Sequence, residues 1–166
     1  RTLKGPVLVL PNHPGYIDPP TVLSHLYRAI HVPLRPLVYS GTYRVPFLLP
    51  LMKLIRAFEV PDLSAQSQSA AAQAQQLIDT VVEGIDEGNS FIIYPSGRLQ
   101  RTNLEKIGSN RLVYEVVTRC PTVTVVLVRT RGLWGSLWGC ARTGQTPDLT
   151  YSVLEALGGL FGGLFF

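Results

Sequence analysis

The fold turns on one stretch, residues 6–20, "PVLVLPNHPGYIDPP". Val7, Leu8, Val9 and Leu10 are apolar without alternation, the pattern of a strand covered on both faces, so a buried strand is expected over residues 6–10. The run stops at an amide and an imidazole, Asn12 and His13. Pro14-Gly15 then forms a turn, and Asp18 precedes Pro19-Pro20. Asp18 suits a helix N-cap and Pro19 a first helical position, which predicts a helix over residues 19–29. A strand passing through a polar turn into a helix is the opening unit of an alternating α/β chain.

The rest of the chain continues that alternation. Residues 34–40 read as a strand in which Pro36 marks an edge or an irregular start. A short apolar helix is expected over 47–56, ending in Lys53 and Arg56, and a short strand over 57–60. Residues 64–87 form the clearest helix: Leu77, Val81, Val82 and Ile85 make one stripe, Gly84 is its weak position, and Gly88-Asn89 ends it. A strand over 90–94, a helix over 110–119 and a β-branched strand over 122–129 follow. From Gly132 the chain is rich in glycine and aromatics and shows no clear period. Without hairpin signals, this order predicts an α/β fold, a mostly parallel sheet flanked by helices, as a single domain over 1–166. A start at Arg1 rather than Met reads as a fragment of a longer chain.

Composition narrows the class. Of 166 residues, 46% are hydrophobic and 16% charged, against about 25% charged in ordinary soluble domains. A net charge of +4 is too mild for a nucleic-acid binder but fits an anionic membrane surface or a phosphorylated substrate. Cys120 and Cys140 give neither a disulfide framework nor metal-ligand spacing, which points to a reduced cytosolic setting. The longest apolar runs, 45–52 and 156–166, fall short of the ~20 residues that span a bilayer. Such a chain could lie on a membrane but would not cross it.

Ligands of α/β folds sit at the carboxyl ends of strands, and two polar clusters fall there. In the first, His13 is placed to act as a general base. Asp18, brought back by the Pro14-Gly15 bend, would fix its tautomer. The alternative is that Asp18 only caps the helix and His13 only caps the strand. There is no GxSxG elbow and no cysteine beside a base, so the nucleophile would come from the substrate. The second cluster lies in "FIIYPSGRLQR", residues 91–101. Gly97 permits close backbone approach, and turn amides with Arg98 and Arg101 suit phosphate oxygens. Its alternative is a solvated turn with surface arginines. A third stretch, "VRTRGLWGSLWG", residues 128–139, sets Arg129 and Arg131 at a strand end. Trp134 and Trp138 then pack together or sit at a lipid interface. His25 and His31 read as surface or packing residues.

Together these pieces resemble the glycerophospholipid acyltransferase superfamily, typified by 1-acylglycerol-3-phosphate acyltransferases. Within it, "PNHPGYIDPP" and "VLVRTRGLWGS" are similar to the acyltransferase domains of 2-acylglycerophosphoethanolamine acyltransferase-like proteins. The superfamily's Asn-His-x4-Asp stands here as Asn12-His13 through Asp18. Its Phe-Pro-Glu-Gly-Thr-Arg block corresponds to Tyr94-Pro95-Ser96-Gly97-Arg98. Cys120-Pro121 leading into the strand from Val123 to Val128 resembles its last block, so that the likeness covers most of residues 5–135. Ser96 replaces the usual Glu, Arg98 the Thr and Leu99 the Arg. The middle block offers Glu59 and Asp62 where an arginine is usual.

The resemblance implies an O-acyltransferase. It would move a fatty acyl group from acyl-CoA or acyl carrier protein to a hydroxyl of a lysophospholipid or glycerol phosphate. It implies no cofactor beyond that co-substrate, no metal and no nucleic-acid partner. His13 would be the base and Asp18 its orienting carboxylate. Asn12, Pro95, Ser96, Gly97, Arg98 and Arg101 would contact substrate, with amides of the Ser96-Gly97 turn facing the oxyanion. The protein would sit on the cytoplasmic face of the cell membrane, peripherally or anchored by a missing segment. Phe47, Leu48, Leu49, Leu51 and Met52 beside Lys53 and Arg56 read equally as an interfacial helix or as a core helix packed on the sheet. The rival expectations are a non-catalytic lipid-binding domain derived from this superfamily and a thioesterase-like hydrolase.

Overall fold

A computed structural model describes residues 3–46, 48–61, 68–107 and 111–162. Among the described residues, five strands form one sheet: β1 (Val7–Pro11), β2 (Leu34–Tyr39), β3 (Phe58–Val60), β4 (Ser90–Ile92) and β5 (Thr124–Val128), in the order β3-β2-β4-β1-β5. Every pairing is parallel. Helices α1 (Asp18–Ile30), α2 (Ser40–Tyr43), α3 (Leu49–Leu54), α4 (Gln68–Asp86), α5 (Leu112–Arg119) and α6 (Leu149–Gly162) connect or follow the strands.

The alternation inside β1 explains the layers. Side chains alternate across a strand, so Val7 and Val9 face one side and Leu8 the other. Val7, Val9 and Ile92 pack with Val22 of α1. Leu8, Phe91 and Ile93 pack with Leu77, Val81 and Ile85 of α4 and Val116 of α5. β1, between β4 and β5, is covered on both faces, as its unbroken apolar run requires. Each such fully buried side chain stabilises the fold by about 1.5–3 kcal/mol relative to exposure. Gly84 is explained by contact rather than by flexibility. A Cβ there would lie 2.7 Å from the Phe91 ring, so its absence lets α4 sit directly on β4.

Three expectations need correction. Asp18 does not cap α1: Ile17 holds the N-cap position with no side-chain cap bond, and Asp18 is already in the first turn. Its carboxylate has partners elsewhere, described below. Pro36 does not make β2 an edge strand, because β2 lies between β3 and β4. β3 pairs only from Leu37 onward, so Pro36 stands where β2 has a single neighbour and no second ladder needs its missing N–H. The aperiodic tail contains a helix, α6, whose unusually apolar composition hides a helical period. The expected helix over 47–56 is present as Leu49–Leu54, with Phe47 outside the described residues. The start of the expected helix over 64–87 and Asn110 of the 110–119 helix also fall outside them, as do Asp62 and residues 163–166.

Candidate active site

The loop leaving β1 brings the predicted pair together. The Pro14-Gly15 bend closes through Asp18 N–H donating to the Gly15 carbonyl at 3.2 Å. This returns the Asp18 carboxylate to His13, whose Nδ1 lies 3.0 Å from Oδ1 and 3.1 Å from Oδ2. The Gly15 N–H donates to Oδ2 at 3.3 Å. Asp18 is fully buried whereas the His13 side chain keeps 17% exposure. A buried carboxylate needs charge-assisted donors, and with Nδ1–H donating to it, the neutral ring carries its lone pair on Nε2. Among the described residues Nε2 has no hydrogen-bond partner. An imidazole oriented in this way is chemically able to act as a general base.

The surroundings hold His13 from every side. Its N–H donates to Glu105 Oε1 at 3.1 Å, and its carbonyl accepts from the Gln100 N–H at 2.8 Å. The Tyr94 ring lies against the imidazole, centroids 4.2 Å apart and planes tilted by 31°. Burial, and then the Asp18 and Glu105 carboxylates, push the Tyr94 phenol far above its usual range, so it remains a protonated donor. Asn12 forms a two-point tie to the loop after β5. Its Nδ2 donates to the Thr130 carbonyl at 3.0 Å, and its Oδ1 accepts from the Thr130 N–H at 2.6 Å.

A second loop packs on the bend itself. Tyr16 N–H donates to the Trp138 carbonyl at 2.9 Å. A Cβ on Gly139 would lie 2.7 Å from the Pro14 carbonyl oxygen, and one on Gly15 3.0 Å from the Trp138 oxygen. Gly139 has φ −118°, a conformation open to any residue, so contact alone demands glycine there. Gly139→Ala is expected to push the bend outward and slow turnover by roughly 10- to 10²-fold, the cost of a misplacement of about 1 Å. Steady-state rates of the folded variant check this. Trp134 Nε1–H donates to Asn103 Oδ1 at 3.1 Å, while the main-chain carbonyl of Trp138 braces the bend.

The second cluster separates into two parts. Gly97 takes φ 64°, the left-handed region that glycine enters freely. Its N–H closes onto the Tyr94 carbonyl at 2.9 Å, and Ser96 Oγ–H donates to the Arg98 carbonyl at 2.8 Å. The Gly97 amide is therefore engaged inside the turn. A cavity of about 490 Å³ is lined by Leu10, Asn12, Pro95, Glu105, Tyr114 and Leu127 among others. A smaller one of about 220 Å³ holds Ser96, Arg98, Arg101, Glu105 and Lys106. The first is apolar and the second cationic, and Glu105 borders both. His13 lines neither, but it is flanked by Asn12 in sequence and bonded to Glu105. Arg98, Arg101 and Lys106 form no ion pair among the described residues.

Tyr94, Gln100, Glu105, Thr130 and Gly139 were not singled out from sequence as site residues. Tyr94 carried one usable signal, an aromatic at the end of the strand next to the polar turn. The others sit in loops without periodicity. His25 and His31 are surface residues, His25 Nδ1 lying 2.8 Å from the Thr21 carbonyl and His31 ending α1 at φ 52°. Burial raises the pKa of both cysteine thiols, keeping them from the thiolate form.

The family model described as Acyltransferase matches residues 1–132, and the chain belongs to the acyltransferase family. Comparison with curated proteins and with solved structures gives no match. General acyltransferase chemistry follows from that membership, and family-level partners are lipids and acyl thioesters.

Proposed function

We propose that this chain transfers a fatty acyl group from acyl-CoA or acyl carrier protein to a hydroxyl of a lysophospholipid or glycerol phosphate. The observation that carries the reading is the oriented His13–Asp18 pair at the carboxyl end of β1, with an apolar and a cationic cavity beside it. His13 Nε2 removes the proton as the acceptor oxygen attacks the thioester carbonyl, and Asp18 stabilises the imidazolium. The tetrahedral intermediate collapses with loss of the thiolate, which takes the proton back from His13. Binding both substrates in line supplies effective concentration without an acyl-enzyme. The apolar groove takes an acyl chain, and Arg98 and Arg101, with Lys106 beside them, take the phosphate.

A phosphate role makes a separable prediction. Arg98→Ala is expected to raise the acceptor KM roughly tenfold, the worth of one charged hydrogen bond, with a smaller change in kcat. Initial rates against acceptor concentration check it, and an unchanged KM would move the phosphate to other residues.

Among the described residues no helix is long and apolar enough to cross a membrane. Contact with a lipid surface fits α3, where Met52 turns inward while Leu51 and Leu54 are exposed beside Lys53. The reading is tested by thiol release from acyl-CoA or acyl carrier protein across a panel of lysophospholipids and glycerol phosphate. Acceptor-dependent release supports it. Release that ignores the acceptor would identify a hydrolase, and no release a binding domain.

A further inference from the structure

Among the described residues, two buried side-chain polar atoms lack a well-formed hydrogen bond, and one is the Tyr94 hydroxyl. It belongs to the residue whose ring lies on His13, and it borders the Asp18 carboxylate. Leaving a buried hydroxyl without a partner costs about 1–3 kcal/mol, and the carboxylate that acts on it is that of Asp18. Asp18 is sealed from water, and its donors are His13 Nδ1–H and the Gly15 N–H, at distances of 3.0–3.3 Å.

We propose that Tyr94 is a positioning residue of the acyl-transfer site, its ring fixing the plane of the His13 imidazole and its hydroxyl fixing the Asp18 carboxylate that His13 leans on. This rests on the function proposed above. The geometry divides the work. The ring contact restricts rotation of the imidazole about χ2, which two carboxylate oxygens at nearly equal distances from Nδ1 do not restrict by themselves. The hydroxyl is a permanent donor, since burial and the two carboxylates keep it protonated. It supplies a third donor to a carboxylate that would otherwise rotate between two partners. Phenylalanine would keep the first contribution and lose the second.

Tyr94→Phe separates them with little risk to folding, because the ring and its packing stay. The expected result is a kcat lowered about tenfold, the size of one lost hydrogen bond to a charged group, with both KM values and the melting temperature near wild type. The ¹⁵N spectrum of the His13 ring, read without substrate, should change from an Nδ1–H tautomer to a mixture. A variant with wild-type kcat, or one that loses rate while the ring spectrum stays unchanged, overturns the assignment. If wild type itself transfers no acyl group, the proposed function falls. The ring spectrum alone then decides the Tyr94 contact: a change supports it and no change rejects it.

Discussion

Asp18→Asn is expected to lower acyl transfer by about 10²-fold or more while the chain stays folded. The carboxylate accepts from Nδ1–H of His13 and from the Gly15 N–H, and no water reaches it. An amide of the same shape still accepts at one oxygen. Its NH2 end presents a donor where the carboxylate presented an acceptor, so the ring is driven to the other tautomer and Nε2 carries the proton. A base with its lone pair turned inward cannot take a proton from the substrate. The change also removes the charge that stabilises the imidazolium. Because Asp18 does not cap α1, no cap is lost. A variant that keeps its rate but melts earlier would instead make Asp18 a structural residue. Rates and a thermal melt on the same preparation distinguish the two.

His13→Ala is expected to cost more, toward the upper end of the 10²–10⁴-fold that positioned base catalysis contributes. The main chain of residue 13 carries the bonds to Glu105 and Gln100, and both survive the substitution. The loop therefore keeps its course, and the deficit falls on the chemical step rather than on substrate binding. The kcat should fall and the KM values should hold. The variant does strand the Asp18 carboxylate, which loses its imidazole partner in a dry site, so some stability is lost as well. His13→Gln retains a donor side chain for Asp18 without a base. It is the control that separates lost chemistry from a stranded charge.

The architecture was readable because β1 and β4 are apolar on both faces and α4 has one clear stripe. Those patterns arise from burial, and burial is what a parallel sheet between helices imposes. The His13–Asp18 pair was readable because its partners lie five residues apart across a turn that Pro and Gly announce. The remainder of the site was not. Glu105 and Gln100 reach His13 across some ninety residues, and Thr130 reaches Asn12 across 118. Loop contacts of that range leave no periodic trace. Asp18 shows how a local rule is overridden. Its position before two prolines favoured a cap, and the His13 imidazole was the better partner for its buried carboxylate. Gly97 shows a different case: the sequence suggested close backbone approach there, and the structure adds a left-handed turn whose amide bonds the Tyr94 carbonyl.

The most direct measurement is the identity of the product made from an isotopically labelled acyl thioester and a lysophospholipid, read by mass spectrometry for wild type and His13→Ala side by side. The account predicts a labelled diacyl phospholipid from wild type that disappears when the lysophospholipid is withheld, and none above background from the variant. Equal amounts of labelled ester from both proteins, or only free labelled fatty acid from wild type in the presence of the acceptor, would contradict it.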